Sequence, residues 1–67
     1  MKNNKFTEGQ RVHYTRWDGA IENGVVKTKH STRNAWWVVY NCGGNWDDYR
    51  NYTGALTFAE ELKDGWI

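Results

Sequence analysis

The chain has 67 residues, 39% of them apolar and 25% charged, with seven glycines, no proline and one cysteine. A chain this short has room for a single core and no deep cavity of its own, which excludes a large enzyme. Nine Lys and Arg against eight Asp and Glu leave a net charge of +1, too balanced for a general nucleic-acid binder.

In chain order, residues 1–5 read as a disordered amino-terminal tail and 6–67 as one domain. Glycine and asparagine then punctuate the sequence about every ten residues, which is the turn spacing of a small all-β meander. Residues 10–15 alternate, with Val12 and Tyr14 on one side and Arg11, His13 and Thr15 on the other, as a half-buried strand does. Residues 20–29 carry Ile21, Val25 and Val26, residues 35–41 are β-branched and aromatic, and residues 46–53 alternate tyrosines more loosely. Four strands are expected there. Thr57-Phe58-Ala59-Glu60 fits a capping box, Leu62 falls four residues beyond Phe58, and Gly65 is placed to end the turn in a left-handed conformation. One short helical turn follows from this, with Trp66-Ile67 as a closing edge strand. A strand, a long first loop, three more strands, a helical turn and a last strand predict an all-β SH3-like barrel of about five short antiparallel strands. An OB-fold, the nearest competitor, places its helix earlier and needs a longer chain. The expected core is Val12, Val25 or Val26, Val39, Leu56, Phe58, Leu62 and Trp66.

The apolar set is unusual in kind, since five Trp, four Tyr and two Phe outnumber the nine Val, Ile and Leu. Each ring buries ~150–250 Å², so a few of them supply the hydrophobic free energy of a small core. Rings left over at the surface form patches of the kind that mark contact sites. The run Ala35-Trp36-Trp37-Val38-Val39-Tyr40 is apolar on both faces of its strand. Whichever tryptophan points away from the interior needs cover. The first loop with Trp17, a strong bend of the strand, or another protein chain would each provide it. Trp36, Trp37, Val38 and Tyr40 are therefore the candidate interface of a homo-oligomer. At six residues the same run is far below the ~20 that span a bilayer. With no hydrophobic signal stretch after Met1-Lys2-Asn3-Asn4-Lys5, a soluble cytoplasmic protein without a membrane partner is expected.

The residues Phe6, Gly9, Val12 and Tyr14, then Asn23-Gly24-Val25-Val26-Lys27, Val38-Val39-Tyr40 with Cys42, and Trp46, Tyr49 and Tyr52-Thr53-Gly54-Ala55 with Thr57, followed by Leu62 and Gly65-Trp66, set a pattern along nearly the whole chain. In it the sequence resembles a family of small uncharacterised proteins of bacterial and phage genomes. The resemblance implies an SH3-like barrel and a mobile-element setting. The opening and strand order also look like the plasmid-borne type II dihydrofolate reductase, an SH3-like barrel that works as a tetramer around a central pore. That enzyme's pore motif, Val-Gln-Ile-Tyr, is replaced here by Tyr49-Arg50-Asn51-Tyr52. The likeness therefore implies the fold and not the activity.

A second group of residues carries the candidate binding chemistry. Tyr14 and Trp17 by the first loop, with Trp46, Asp47, Asp48, Tyr49 and Tyr52 at the third turn, suit a peptide groove or a cage for a methylated cation. Alternatively, Trp46 and Tyr52 plug the barrel end while the two aspartates stay solvated. Lys27, Lys29, His30 and Arg33 set a basic edge beside exposed rings, the feature that single-stranded nucleic acid requires. Catalysis finds little support. Cys42, His13, His30 and Asp47 have no metal-ligand spacing, and Asp47-Asp48 lacks a calcium-loop pattern. No metal and no cofactor is expected, and Cys42 reads as a buried structural thiol. Asn51-Tyr52-Thr53 matches a glycosylation acceptor without a secretory route to use it. The expectation is a non-enzymatic interaction module with a protein or peptide partner, with single-stranded nucleic-acid binding or an oligomeric pore enzyme as alternatives.

Overall fold

Short β-branched and aromatic runs separated by turns can satisfy their backbone groups only by pairing with one another. In the computed structural model, which describes residues 5–67, they do so in one antiparallel sheet. Its strands are β1 (Arg11–Thr15), β2 (Ile21–Lys29), β3 (Ala35–Val39), β4 (Ala55–Phe58) and β5 (Leu62–Asp64), in the order β4-β3-β2-β1-β5. The sheet is open, with β4 at one edge and β5 at the other. The tail expected over residues 1–5 lies, Lys5 apart, outside the described residues. No helix in the described residues is long and apolar enough to cross a membrane.

The first three strands fall within two residues of their expected bounds, and a 3-10 turn at Ala59–Glu61 stands before the last strand. Four local expectations are corrected. The loop between β1 and β2 is short. Gly19 N–H donates to the Arg16 carbonyl at 2.9 Å and Arg16 N–H to the Ala20 carbonyl at 2.8 Å, so only Trp17, Asp18 and Gly19 form the hairpin loop. Gly19 supplies the positive φ, +88°, that such a turn and bulge need. Residues 46–53 form no strand, and Trp46–Asn51 winds as a 3-10 turn after the chain reverses through Gly43 and Gly44. The capping box is not made. Thr57 belongs to β4, and its hydroxyl meets the Tyr40 phenol at 2.7 Å. The closing strand is Leu62–Asp64 rather than Trp66-Ile67, while Gly65, at φ +84°, ends that strand instead of a helix.

Alternation along the strands divides the core into two halves, one on each face of the sheet. On the first face Val12, Val26, Trp36, Val38, Ala59 and Leu62 pack together, bordered by Phe6, Tyr14 and Tyr40. Phe6 meets the Trp36 ring edge-on, 5.9 Å between centroids. On the second face Val25, Val39, Cys42 and Tyr49 are covered by Trp46, Tyr52 and Trp66. The Trp46–Asn51 turn thus acts as a lid over β2 and β3, and the carboxy-terminal residues close it from the β1 side. Trp66 Nε1 donates to the Gly24 carbonyl at 2.8 Å, its ring lies 4.9 Å from Trp46, and the Arg11 guanidinium sits over it at 4.5 Å. Asn23 fixes Ile67 through two hydrogen bonds, and the His13 ring lies 2.8 Å from the Gly65 carbonyl oxygen. Two expected core residues, Leu56 and Phe58, are instead exposed.

Candidate interaction surface

The lid and the carboxy-terminal residues do not cover the whole second face. Beyond a register shift between Val26 and Thr28, β3 pairs Trp37 with Leu56 and Ala35 with Phe58. Side chains opposite one another in an antiparallel pair share a face, so Trp37, Leu56 and Phe58 stand together on the second face. Leu56 is 39% exposed, Phe58 45%, and Trp37 is half-buried. The His30 ring leans on Trp37 at 6.2 Å and 32°, bordering the patch on its β2 side.

The same three residues adjoin the β4 edge. His30 N–H, just beyond β2, donates to the Ala35 carbonyl, so by alternation the Ala35 carbonyl and the backbone groups of Trp37 and Val39 turn toward β2, while Ala35 N–H donates to the Arg33 carbonyl. Trp36 and Val38 turn theirs toward Thr57 and Ala55 of β4. By the same alternation Leu56 and Phe58 point their N–H and C=O groups away from the sheet. Edge strands are normally guarded by charge, proline or shortness. β5 is three residues long and carries Lys63 and Asp64, whereas Ala55-Leu56-Thr57-Phe58 has no charged side chain and no proline.

Charge is distributed unevenly around this patch. No acidic residue occurs between Glu22 and Asp47, a stretch that holds Lys27, Lys29 and Arg33. Lys27 Nζ donates to the Tyr52 carbonyl at 2.7 Å and Lys29 Nζ to the Arg33 carbonyl at 2.7 Å. Neutral carbonyls fix these ammonium groups without cancelling their charge. Among the described residues, no three His, Cys, Asp or Glu side chains gather as a metal-ligand set.

The residues expected to bind a ligand separate in space. Tyr14 lies on the first face against Tyr40, with ring centroids 6.1 Å apart. Trp46, Tyr49 and Tyr52 pack on the second face, and Asp47 and Asp48 are exposed on the turn between them. Trp17 stands at the hairpin tip, 92% exposed, between Arg16 and Asp18, whose side chains pair at 3.2 Å. Among the expected oligomer contacts, Trp36 and Val38 are buried within the chain, Tyr40 is half-buried, and Trp37 alone belongs to the open patch. Burial, with Glu22, Tyr14 and Glu61 nearby, pushes the Tyr40 phenol up to about 12 against the lowering effect of the Thr57 hydroxyl. Sequence reasoning missed Leu56 and Phe58 as surface residues. The signal available was the uncharged strand next to a 3-10 turn. Comparison with protein-family models, curated proteins and solved structures finds no match for this chain.

Proposed function

We propose that the chain is a non-enzymatic interaction module, an SH3-like barrel that takes an extended protein segment along β4. The strand order and the helical turn ahead of β5 support the barrel reading. The observation that carries the function is the unguarded edge itself. Leu56 and Phe58 offer outward backbone groups and exposed side chains beside Trp37 on one face. A strand added there gains ladder hydrogen bonds for affinity, and its alternate side chains cover the patch for specificity. A photo-crosslinker at Leu56, compared with the same group at Lys63 on the guarded edge, tests this reading in host extract. Crosslinks to defined protein segments at Leu56, lost in Phe58→Glu, are expected. Equal labelling at both edges would refute strand addition at β4.

Single-stranded nucleic acid is the second reading. It is favoured by the acid-free stretch with Lys27, Lys29 and Arg33 beside the His30 and Trp37 rings. A salt-dependent shift of short oligonucleotides, abolished in Trp37→Ala, supports it.

A further inference from the structure

We infer that His30 is a proton-operated latch on the loop between β2 and β3, closed while its ring is neutral and released when Nδ1 takes up a proton. The inference goes beyond the strand-addition reading and does not depend on it. Thr32 N–H and Arg33 N–H both donate to His30 Nδ1, each at 3.2 Å. Two donors converging on one ring nitrogen require a lone pair there, so the ring is neutral and its own proton sits on Nε2. The arrangement is that of an Asx-turn, with Nδ1 in the place of the side-chain oxygen that ordinarily accepts from the amide two residues on. An Asn in this position has no proton to gain, whereas an imidazole changes charge between about pH 5 and pH 8. The incoming proton has only Nδ1 to occupy, and there it makes a donor that faces two donors. The other of the chain's two histidines lacks this property. His13 Nδ1 lies 2.8 Å from the Gly65 carbonyl oxygen, which can only accept, so Nδ1 already carries the proton. A second proton on His13 goes to Nε2 and leaves its contact in place.

Nothing around the charged ring holds it in place. The charged groups on the elements about it are Lys27 and Lys29 of β2, Arg33 of the loop, and Glu60 and Glu61 of the 3-10 turn whose Ala59 N–H donates to the Asn34 carbonyl. Glu22 stands at the far end of β2, in register with Tyr14. β3 and β4 carry no charged side chain. The one ion pair among the described residues joins Arg16 and Asp18, so no carboxylate pairs with the imidazolium. Lys29 Nζ, which donates to the His30 and Arg33 carbonyls, is a like charge on the same loop. Residues 31–34 are exposed, so the two amides pass to water once the ring lets go. Release also frees Trp37, against which the neutral ring leans at 6.2 Å, and sets a cation at the border of the open patch. Acid thereby changes both the order of the loop and the charge beside Trp37.

Nitrogen-edited NMR of the full chain from about pH 8 to pH 5 tests the latch. At the neutral end His30 is expected as the Nε2–H tautomer and His13 as the Nδ1–H tautomer. As His30 titrates, water exchange of the Thr32 and Arg33 amides should accelerate about fivefold relative to His30→Asn at the same pH, the equivalent of one ordinary hydrogen bond. Proximity of the His30 and Trp37 ring protons should be lost over the same range. His30→Asn keeps an acceptor in the same place without the titration, so its loop amides should not loosen with acid. Circular dichroism at each pH separates a released loop from an unfolded chain. An Nδ1–H tautomer at His30, amide exchange indifferent to its titration, or the same loosening in His30→Asn would each overturn the inference. None of these results touches the strand-addition reading, which is tested at β4.

Discussion

The Tyr40 phenol and the Thr57 hydroxyl meet at 2.7 Å, joining the end of β3 to the middle of β4 on the first face of the sheet. The contact explains why a threonine occupies a buried position there while its neighbours Leu56 and Phe58 face outward. Burial of the same phenol, against the lowering effect of this hydrogen bond, gives the protein a specific alkaline weakness. The folded state holds the Tyr40 proton to about pH 12, against an ordinary value of 10.0. A raised pKa means that the folded chain binds the proton more tightly than the unfolded chain. The associated stability is therefore complete below pH 10 and is lost as pH rises toward 12. Urea unfolding across this range should show the decline in the natural chain and a smaller one in Tyr40→Phe. At neutral pH Tyr40→Phe should cost about 1 kcal/mol for the lost hydrogen bond. An unchanged alkaline slope in the variant would assign the effect to another group.

Gly24 is predicted to be the least replaceable glycine of the sheet. It sits in β2 opposite Val12, and an added Cβ would come within 2.8 Å of Tyr40 Cδ1, Val38 Cγ1 and the Val39 carbonyl oxygen. The last of these is backbone and cannot swing aside. Gly24→Ala should therefore destabilise by about 2 kcal/mol or more, lowering Tm by roughly 10 °C. A Tm within two or three degrees of the natural chain would mean that β2 and β3 are less closely apposed.

Legibility of the fold in the sequence followed the strength of each periodic signal. Val12 and Tyr14 alternate with Arg11 and His13, and a period of two, which has no helical counterpart over five residues, marks β1 as a strand. His13 on its polar side is nonetheless buried, with its ring at the Gly65 carbonyl, so β1 is not the half-buried strand that the alternation predicts. Trp46, Tyr49 and Tyr52 are spaced by three, the repeat of a 3-10 helix, which stacks such residues on one face. Read as a loose strand, this spacing hid the lid of the second face. That lid answers part of the puzzle of Ala35–Val39, since the Phe6 side covers Trp36 and Val38 and the Trp46–Asn51 turn covers Val39, while Trp37 stays half-buried in the open patch. The open patch was illegible for a different reason. Leu56 and Phe58 are apolar and Thr57 polar, so hydrophobic patterning points the wrong face inward. Only the tertiary contact with Tyr40 reverses it.

The hairpin tip should separate exposure from stability. Trp17 is 92% exposed, so Trp17→Ser should change stability by no more than about 0.5 kcal/mol. Gly19→Ala, two residues along, should cost about 1 kcal/mol, because the turn holds that position at φ +88°. Thermal melts of the two variants give the comparison directly. A Trp17→Ser loss as large as that of Gly19→Ala would show the indole packed against the body of the protein.

Two tryptophans provide the last contrast, because their indole nitrogens differ in what they meet. Trp66 Nε1 donates to the Gly24 carbonyl at 2.8 Å, and Gly24 is buried. Trp66→Phe removes that donor while the Gly24 carbonyl keeps its place in the ladder opposite Val12, a loss of about 1 kcal/mol beyond the change in ring area. Trp36 is only 8% exposed, and its Nε1 has no hydrogen-bond partner among the described residues. Burying such a donor costs about as much as Trp66→Phe forfeits, so Trp36→Phe relieves that penalty while giving up packing against Phe6. The two changes delete the same atoms, yet Trp66→Phe should cost about 2 kcal/mol and Trp36→Phe no more than about 1 kcal/mol. Paired urea titrations measure the difference. Equal costs would indicate that the Trp36 indole N–H has a partner after all.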